Sequence, residues 1–120
     1  MNGSSVTHAR DLPQELVEVI EKSASLGKQT AAFVKTALTR LWLDAASPMD
    51  GDKVFLSTGD IDAMWIRDST WQVRPLIRFA GNRAIADFLC SIINTQVFYL
   101  SIDPYANAFN KTPNGQCWHR

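Results

Sequence analysis

The stretch from Asn82 to Ser101, NRAIADFLCSIINTQVFYLS, carries the clearest signal of fold class in the chain. After Asn82, the residues Ile85, Phe88, Leu89, Ile92, Ile93, Val97 and Leu100 recur at spacings of three and four over about five turns. That is the period of a helix and not the alternation of a strand. Toward the N-terminus, Asp68, Ser69 and Thr70 offer side-chain oxygens as caps ahead of Trp71, Val73, Leu76, Ile77 and Phe79. The pattern predicts a third helix from near Asp68 to near Gly81, kinked at Pro75. Gln29 to Ala45 places Phe33, Val34, Ala37, Leu38, Leu41 and Trp42 on a broad apolar face, which predicts a well-buried second helix. Leu12, Leu16, Val19 and Ile20, with Pro13 near their start and Gly27 past their end, predict a first helix over about 13–25. Val54 to Ser57 alternates too briefly for more than a short strand or an extended lead-in to the Thr58-Gly59 turn. After Ser101 the chain turns into a polar loop, DPYANAFNKTPNGQ.

Four helices of this size either close into a small bundle or form the opening part of a larger helical array. Wide apolar faces left without partners on helices two and four would make the chain associate.

Composition narrows the function classes. The 120 residues carry 12 Lys plus Arg against 12 Asp plus Glu, with 46% hydrophobic and 20% charged residues. This is a globular composition, not a disordered or collagen-like one. Zero net charge supplies no field for steering phosphates or anionic lipid, so neither nucleic acid nor membrane is expected as a partner. No signal peptide is visible at the start, and no stretch approaches the roughly 18 apolar residues of a membrane span, so a cytoplasmic location is expected. Cys90 and Cys117 lack CxxC or His spacing, leaving one possible disulfide or two free thiols.

The arrangement of charge says more than its sum. Residues 1–43 hold five basic and four acidic groups, 44–68 two and six, and 69–120 five and two. The middle is an acidic island of Asp44, Asp50, Asp52, Asp60, Asp62 and Asp68 among turn-forming residues, where loops commonly hold functional groups. Glu15, Glu18 and Glu21 are the only glutamates. Any acid and base pair after Glu21 must therefore consist of aspartates.

Ser57 to Gln72, STGDIDAMWIRDSTWQ, is the densest constellation. Adjacent Arg67 and Asp68 can be read as a local ion pair with a helix cap. They can also be read as polyol recognition, because a carboxylate accepts from neighbouring hydroxyls while a guanidinium donates to their lone pairs. Trp65 and Trp71 read first as core anchors, the commoner role of a Trp beside a helix start, with an aromatic face for a sugar as the alternative. Asp60 and Asp62 form a D-x-D pair without the further ligands of a calcium loop, so no metal site is expected. His8 and His119 lie at the ends of the chain with no nucleophile elbow. The second polar loop adds Asp103, Tyr105, Asn107 and Asn110, which alone would be a turn with Asx caps. If helices three and four are antiparallel, its position puts it level with the acidic motif, and both loops share one rim.

The segments STGDIDAMWIRDSTWQVRP, SIDPYANAFN and PNG closely resemble glycoside hydrolase family 125, the exo-acting alpha-1,6-mannosidases also known as metal-independent alpha-mannosidases. The likeness covers most of positions 54 to 115. It implies an all-α (α/α)6 barrel, of which residues 1–120 are the N-terminal part and about the first third. It also implies inverting hydrolysis of terminal alpha-1,6-linked mannose without a cofactor or catalytic metal, and a mannose-containing glycan as partner. Residues 54–72 and 101–115 would be active-site loops. The terminal-sugar role falls on Arg67 and Asp68, with Asp60, Trp65, Asp103, Asn107 and Asn110 as neighbours. In the family the general acid is an Asp and the base a Glu, both well downstream of these motifs. The resemblance thus implies no catalytic residue in this chain, with the remainder of the barrel C-terminal and the 120 residues inactive alone. A related barrel glycosidase for another sugar, or a non-enzymatic helical sugar-binding or interaction module, is the alternative.

Overall fold

The computed structural model describes residues 11–112, 114 and 115. His8, Pro113, Cys117 and His119 lie outside the described residues, so the readings placed on them have no structural counterpart here. Among the described residues four helices dominate: α1 (Gln14–Ser23), α2 (Lys28–Thr39), α3 (Ile66–Val73) and α4 (Arg83–Ile102). A short hairpin of β1 (Ala46–Pro48) and β2 (Val54–Leu56) separates the two pairs.

Pro13 precedes α1 as its N-cap residue, and a 3₁₀ turn over Ala24–Leu26 ends it before Gly27, whose φ of 109° turns the chain into α2. Past Thr39 the α2 helix widens into a π-turn over Arg40–Asp44, closed by the Ala45 N–H donating to the Arg40 carbonyl at 2.8 Å. The wider turn carries Trp42, which is buried against Phe88 of α4 with ring centroids 4.7 Å apart. Helix two is not the well-buried element its apolar content predicts. None of Lys28–Thr39 is buried, Phe33 is 75% exposed, and burial is confined to Trp42 in the π-turn.

The extended lead-in is a true strand. Val54, Phe55 and Leu56 of β2 are all fully buried and pair antiparallel with β1, Ser47 opposite Phe55. The partner β1 was invisible in the sequence because Ala46, Ser47 and Pro48 have neither alternation nor β-branching, and Pro48 is tolerated only because its strand is an edge. β2 is anchored on α4 through Thr95. The Thr95 hydroxyl accepts from the Val54 N–H at 2.9 Å and donates toward the Val54 and Ser91 carbonyls at 2.7 and 2.8 Å.

Helix three begins at Ile66, two residues ahead of the expected start. Its N-cap residue is Trp65, extended and without a side-chain cap, so Asp68, Ser69 and Thr70 are not caps. Asp68 lies within the first turn, while Ser69 and Thr70 donate backward to the Ile66 carbonyl at 3.0 and 2.8 Å. Pro75 does break the helix: from Arg74 to Phe79 the backbone tightens to 3₁₀, since Pro lacks the N–H that α geometry needs.

The last helix matches its reading most closely, with Asn82 capping the Ala84 and Ile85 N–H groups at 2.9 and 3.2 Å. Its buried stripe is nevertheless Ile85, Phe88, Ser91, Ile92, Thr95 and Tyr99. Ile93, Val97 and Leu100, members of the same repeat, are 55%, 61% and 39% exposed. By length and composition alone α4 is also apolar enough to cross a membrane, contrary to the expectation that no such stretch exists. Trp71 is not a core anchor: it is 60% exposed, with the Arg74 guanidinium 4.6 Å from its ring centroid.

Candidate functional site

The acidic motif is a built loop. Thr58, buried, accepts from the Trp65 N–H at 3.1 Å through its hydroxyl oxygen and donates to the Ala63 carbonyl at 3.0 Å. Its own backbone N–H reaches that same carbonyl at 2.9 Å. One side chain thus closes the neck of residues 58–65 and sets where α3 starts. Gly59 makes the turn at φ 80°, in the region where a side chain is strained, and Ser57 Oγ donates to the Asp62 carboxylate at 3.1 Å.

The second loop docks against the first. Met64 and Phe109 exchange both backbone hydrogen bonds, each 2.9 Å, as an isolated antiparallel bridge. Both residues are buried. Phe109 stacks on Tyr99 of α4 with centroids 4.9 Å apart and planes 8° from parallel, and the Tyr99 hydroxyl donates to the Lys111 carbonyl at 2.8 Å. Burial, and secondarily the Asp62 carboxylate, push the Tyr99 phenol well above its usual range, so it stays a neutral donor. The shared rim expected from an antiparallel α3 and α4 is present, because the bridge fastens the loop ending at α3 to the loop leaving α4.

Within that rim the predicted residues differ in placement. Arg67 and Asp68 face each other at 3.7 Å, with side chains 79% and 45% exposed. They project from the first turn of α3 and are not enclosed, so the hollow expected around them is absent among the described residues. Asp60, Asp103 and Asn107 are exposed, while Trp65 and Asn110 are half-buried. Asp103 accepts from the Tyr105 N–H at 3.0 Å, the Asx turn anticipated for this loop, and Asn110 donates to Asn114 at 3.0 Å. No described Asp or Glu is buried, and no group of three potential metal ligands occurs among the described residues.

A cleft of about 750 Å³ opens beside the rim, between the π-turn of α2 and α3. Arg40, Asp44, Ser57 and Gln72 supply its polar groups, Leu41 and Leu76 part of its apolar wall. It shares the 57–59 segment with the acidic motif, but none of Arg67, Asp68, Asp60, Trp65, Asp103, Asn107 or Asn110 lines it. Sequence reasoning did not single out Thr58, Tyr99 or Gln96 of α4, which fix the loops. Their partners lie up to 50 residues away along the chain, and only a buried hydroxyl or amide on an otherwise apolar helix face hints at them.

Two polar loops locked together at the end of a helical pair carry carboxylates, a guanidinium and amides with aromatic neighbours, groups that can exchange hydrogen bonds with hydroxyl-bearing ligands. Residues 14–119 match the family described as metal-independent alpha-mannosidase (GH125), and the chain belongs to that family. The family is one of glycoside hydrolases of the alpha-mannosidase class, which implies a glycan as substrate. A search of curated proteins returned no match.

Proposed function

We propose that this chain supplies the terminal-sugar subsite of an exo-acting alpha-1,6-mannosidase that hydrolyses with inversion and without a metal. The observation that carries the reading is the Met64–Phe109 bridge, which brings the Arg67–Asp68 turn and the Asp103–Asn110 loop to one rim. Asp68 accepts hydrogen bonds from vicinal hydroxyls of the terminal mannose, and Arg67 donates to their oxygens. Asp60, Trp65, Asp103, Asn107 and Asn110 are the neighbouring contacts. Binding remote hydroxyls at fixed depth and rotation lowers the barrier at the anomeric carbon, because the sugar is held in a reactive orientation.

Inversion needs a protonated carboxyl at the leaving oxygen and a carboxylate activating water on the opposite face, about 6.5 to 9.5 Å apart. The resemblance puts an Asp acid and a Glu base downstream of these motifs, and no Glu follows Glu21. Both catalytic groups are accordingly assigned to further helices of an (α/α)6 barrel that residues 1–120 begin, and these residues alone bind without hydrolysing.

The test uses the enzyme expressed from its whole reading frame, with mannobioses of different linkage as substrates. Cleavage restricted to the alpha-1,6 linkage, with β-mannose as the first anomer seen by proton NMR, is expected. Asp68→Asn should lower turnover at least about 100-fold while the fold is retained. Unchanged turnover in that variant, or α-mannose appearing first, would refute the assignment it addresses.

A further inference from the structure

The opening turn of α3 is held from a separate element. Gln96, on α4, places its Nε2 2.9 Å from Ser69 Oγ, 3.0 Å from Thr70 Oγ1 and 3.3 Å from the Ile66 carbonyl oxygen. A carbonyl can only accept, so the nitrogen of the amide, not its oxygen, faces the turn. Ser69 and Thr70 direct their own hydroxyl hydrogens at that same Ile66 carbonyl, at 3.0 and 2.8 Å. Their lone pairs are thereby left to receive the amide hydrogens, and every donor in the cluster has an acceptor.

Arg67 and Asp68 lie between Ile66 and Ser69, on a turn with no side-chain cap of its own. The Arg67 side chain is largely in solvent and that of Asp68 nearly half so, and neither is enclosed; the Cα–Cβ directions of the turn decide where the pair points. We propose that Gln96 is the positioning residue that sets the orientation of Arg67 and Asp68 toward the sugar, an inference that rests on reading the pair as a sugar subsite. Gln96 acts through the backbone of residues 66–70 and does not itself contact ligand. The helix has independent anchors on both sides of that turn: the Met64–Phe109 bridge and the Thr58 hydroxyl on the Trp65 N–H before it, and after it buried Val73 of α3 and Leu76 of the 3₁₀ segment that follows. Loss of Gln96 therefore frees the first turn without undocking the helix.

The experiment titrates methyl α-mannoside into the protein while the backbone amides of residues 64–70 are followed by NMR, with hydrogen exchange measured on the same samples. Gln96→Met, similar in length and without N–H donors, should weaken binding about tenfold and quicken exchange at residues 66–70 but not along α4. Its melting temperature should fall by less than about 3 °C. In an Asp68→Asn background the same change should cost no more than about twofold, since the group being aimed is already gone. Wild-type affinity in Gln96→Met overturns the proposal. So does a full tenfold loss in the Asp68→Asn background, or global unfolding of Gln96→Met, each of which marks a residue that acts on the fold at large. Failure of the underlying sugar-site reading looks different: wild-type protein that binds no methyl α-mannoside, or Asp68→Asn that binds as wild type, overturns that reading and this proposal with it, without reference to Gln96.

Discussion

The Thr95 hydroxyl sits fully buried between β2 and α4, where no solvent replaces a lost partner. Thr95→Val keeps the shape of the side chain but strands the Val54 N–H in the core. Urea denaturation should show a loss of about 1–3 kcal/mol, the cost of a buried unsatisfied donor. Thr95→Ser keeps the hydroxyl and should cost less, about 1 kcal/mol for one buried methyl group. The Tyr99 phenol gives a pH signature of its own. Burial and the Asp62 carboxylate raise its folded pKa, so above about pH 10, the unperturbed value, the unfolded chain sheds a proton that the folded chain still holds. Tyr99 therefore contributes stability that is intact below about pH 10 and declines as the pH rises past it. Comparing unfolding free energies of wild type and Tyr99→Phe from pH 8 to 11 should show a shallower alkaline decline in the variant; identical slopes would mean the phenol titrates freely.

At the level of elements, Asn82 ties the N-terminus of α4 to α1. It caps α4 through its Oδ1 and donates from its Nδ2 to the Glu15 carboxylate of α1 at 2.7 Å. Asn82→Ala removes both functions and should destabilise by about 1–2 kcal/mol. Asn82→Asp keeps a capping oxygen but sets a second carboxylate against Glu15; it should recover stability toward wild type only when Glu15 is also changed to Gln, a coupling readable in a double-mutant cycle. The helical spacing after Asn82 was legible in the sequence, and its capping role is a local one, made to the N–H groups two and three residues further on. The start of α3 was misread for the converse reason. Asp68, Ser69 and Thr70 look like caps in isolation, but the Thr58 clamp on the Trp65 N–H fixes the start of the helix two residues earlier, and that clamp depends on a contact seven residues away. β1 gave no signal because its residues acquire strand character only from pairing with β2.

Across the whole molecule, what the sequence conveyed best was period and local chemistry, and what it conveyed worst was which apolar face is covered. Helix four is apolar on more than one side, so Ile93, Val97 and Leu100 were indistinguishable by type from Ile85, Phe88 and Ile92; only Ser91 and Thr95, polar and buried on the β2 side, mark the true inner face. The rim was legible as topology, since antiparallel α3 and α4 bring its two loops together, whereas the exposure of Arg67 and Asp68 was not. The uncovered apolar surface has a measurable consequence. Ile77 on the 3₁₀ segment and Ile93 of α4 line a shared groove with Val73 and Leu89, while Val97 and Leu100 extend the exposed stripe along α4. Burying such a stripe is worth about 25 cal/mol per Å² of apolar surface, which favours association of the chain as its concentration rises. Ile93→Lys combined with Val97→Glu places charges at exposed positions one helical turn apart, where they pair without disturbing the inner stripe. Sedimentation velocity should show concentration-dependent self-association in the wild-type chain and a monomer in the double variant, with the far-ultraviolet spectrum unchanged. A wild-type chain that sediments as a monomer across the same concentration series as the double variant would mean that this face is tolerated by water as it stands.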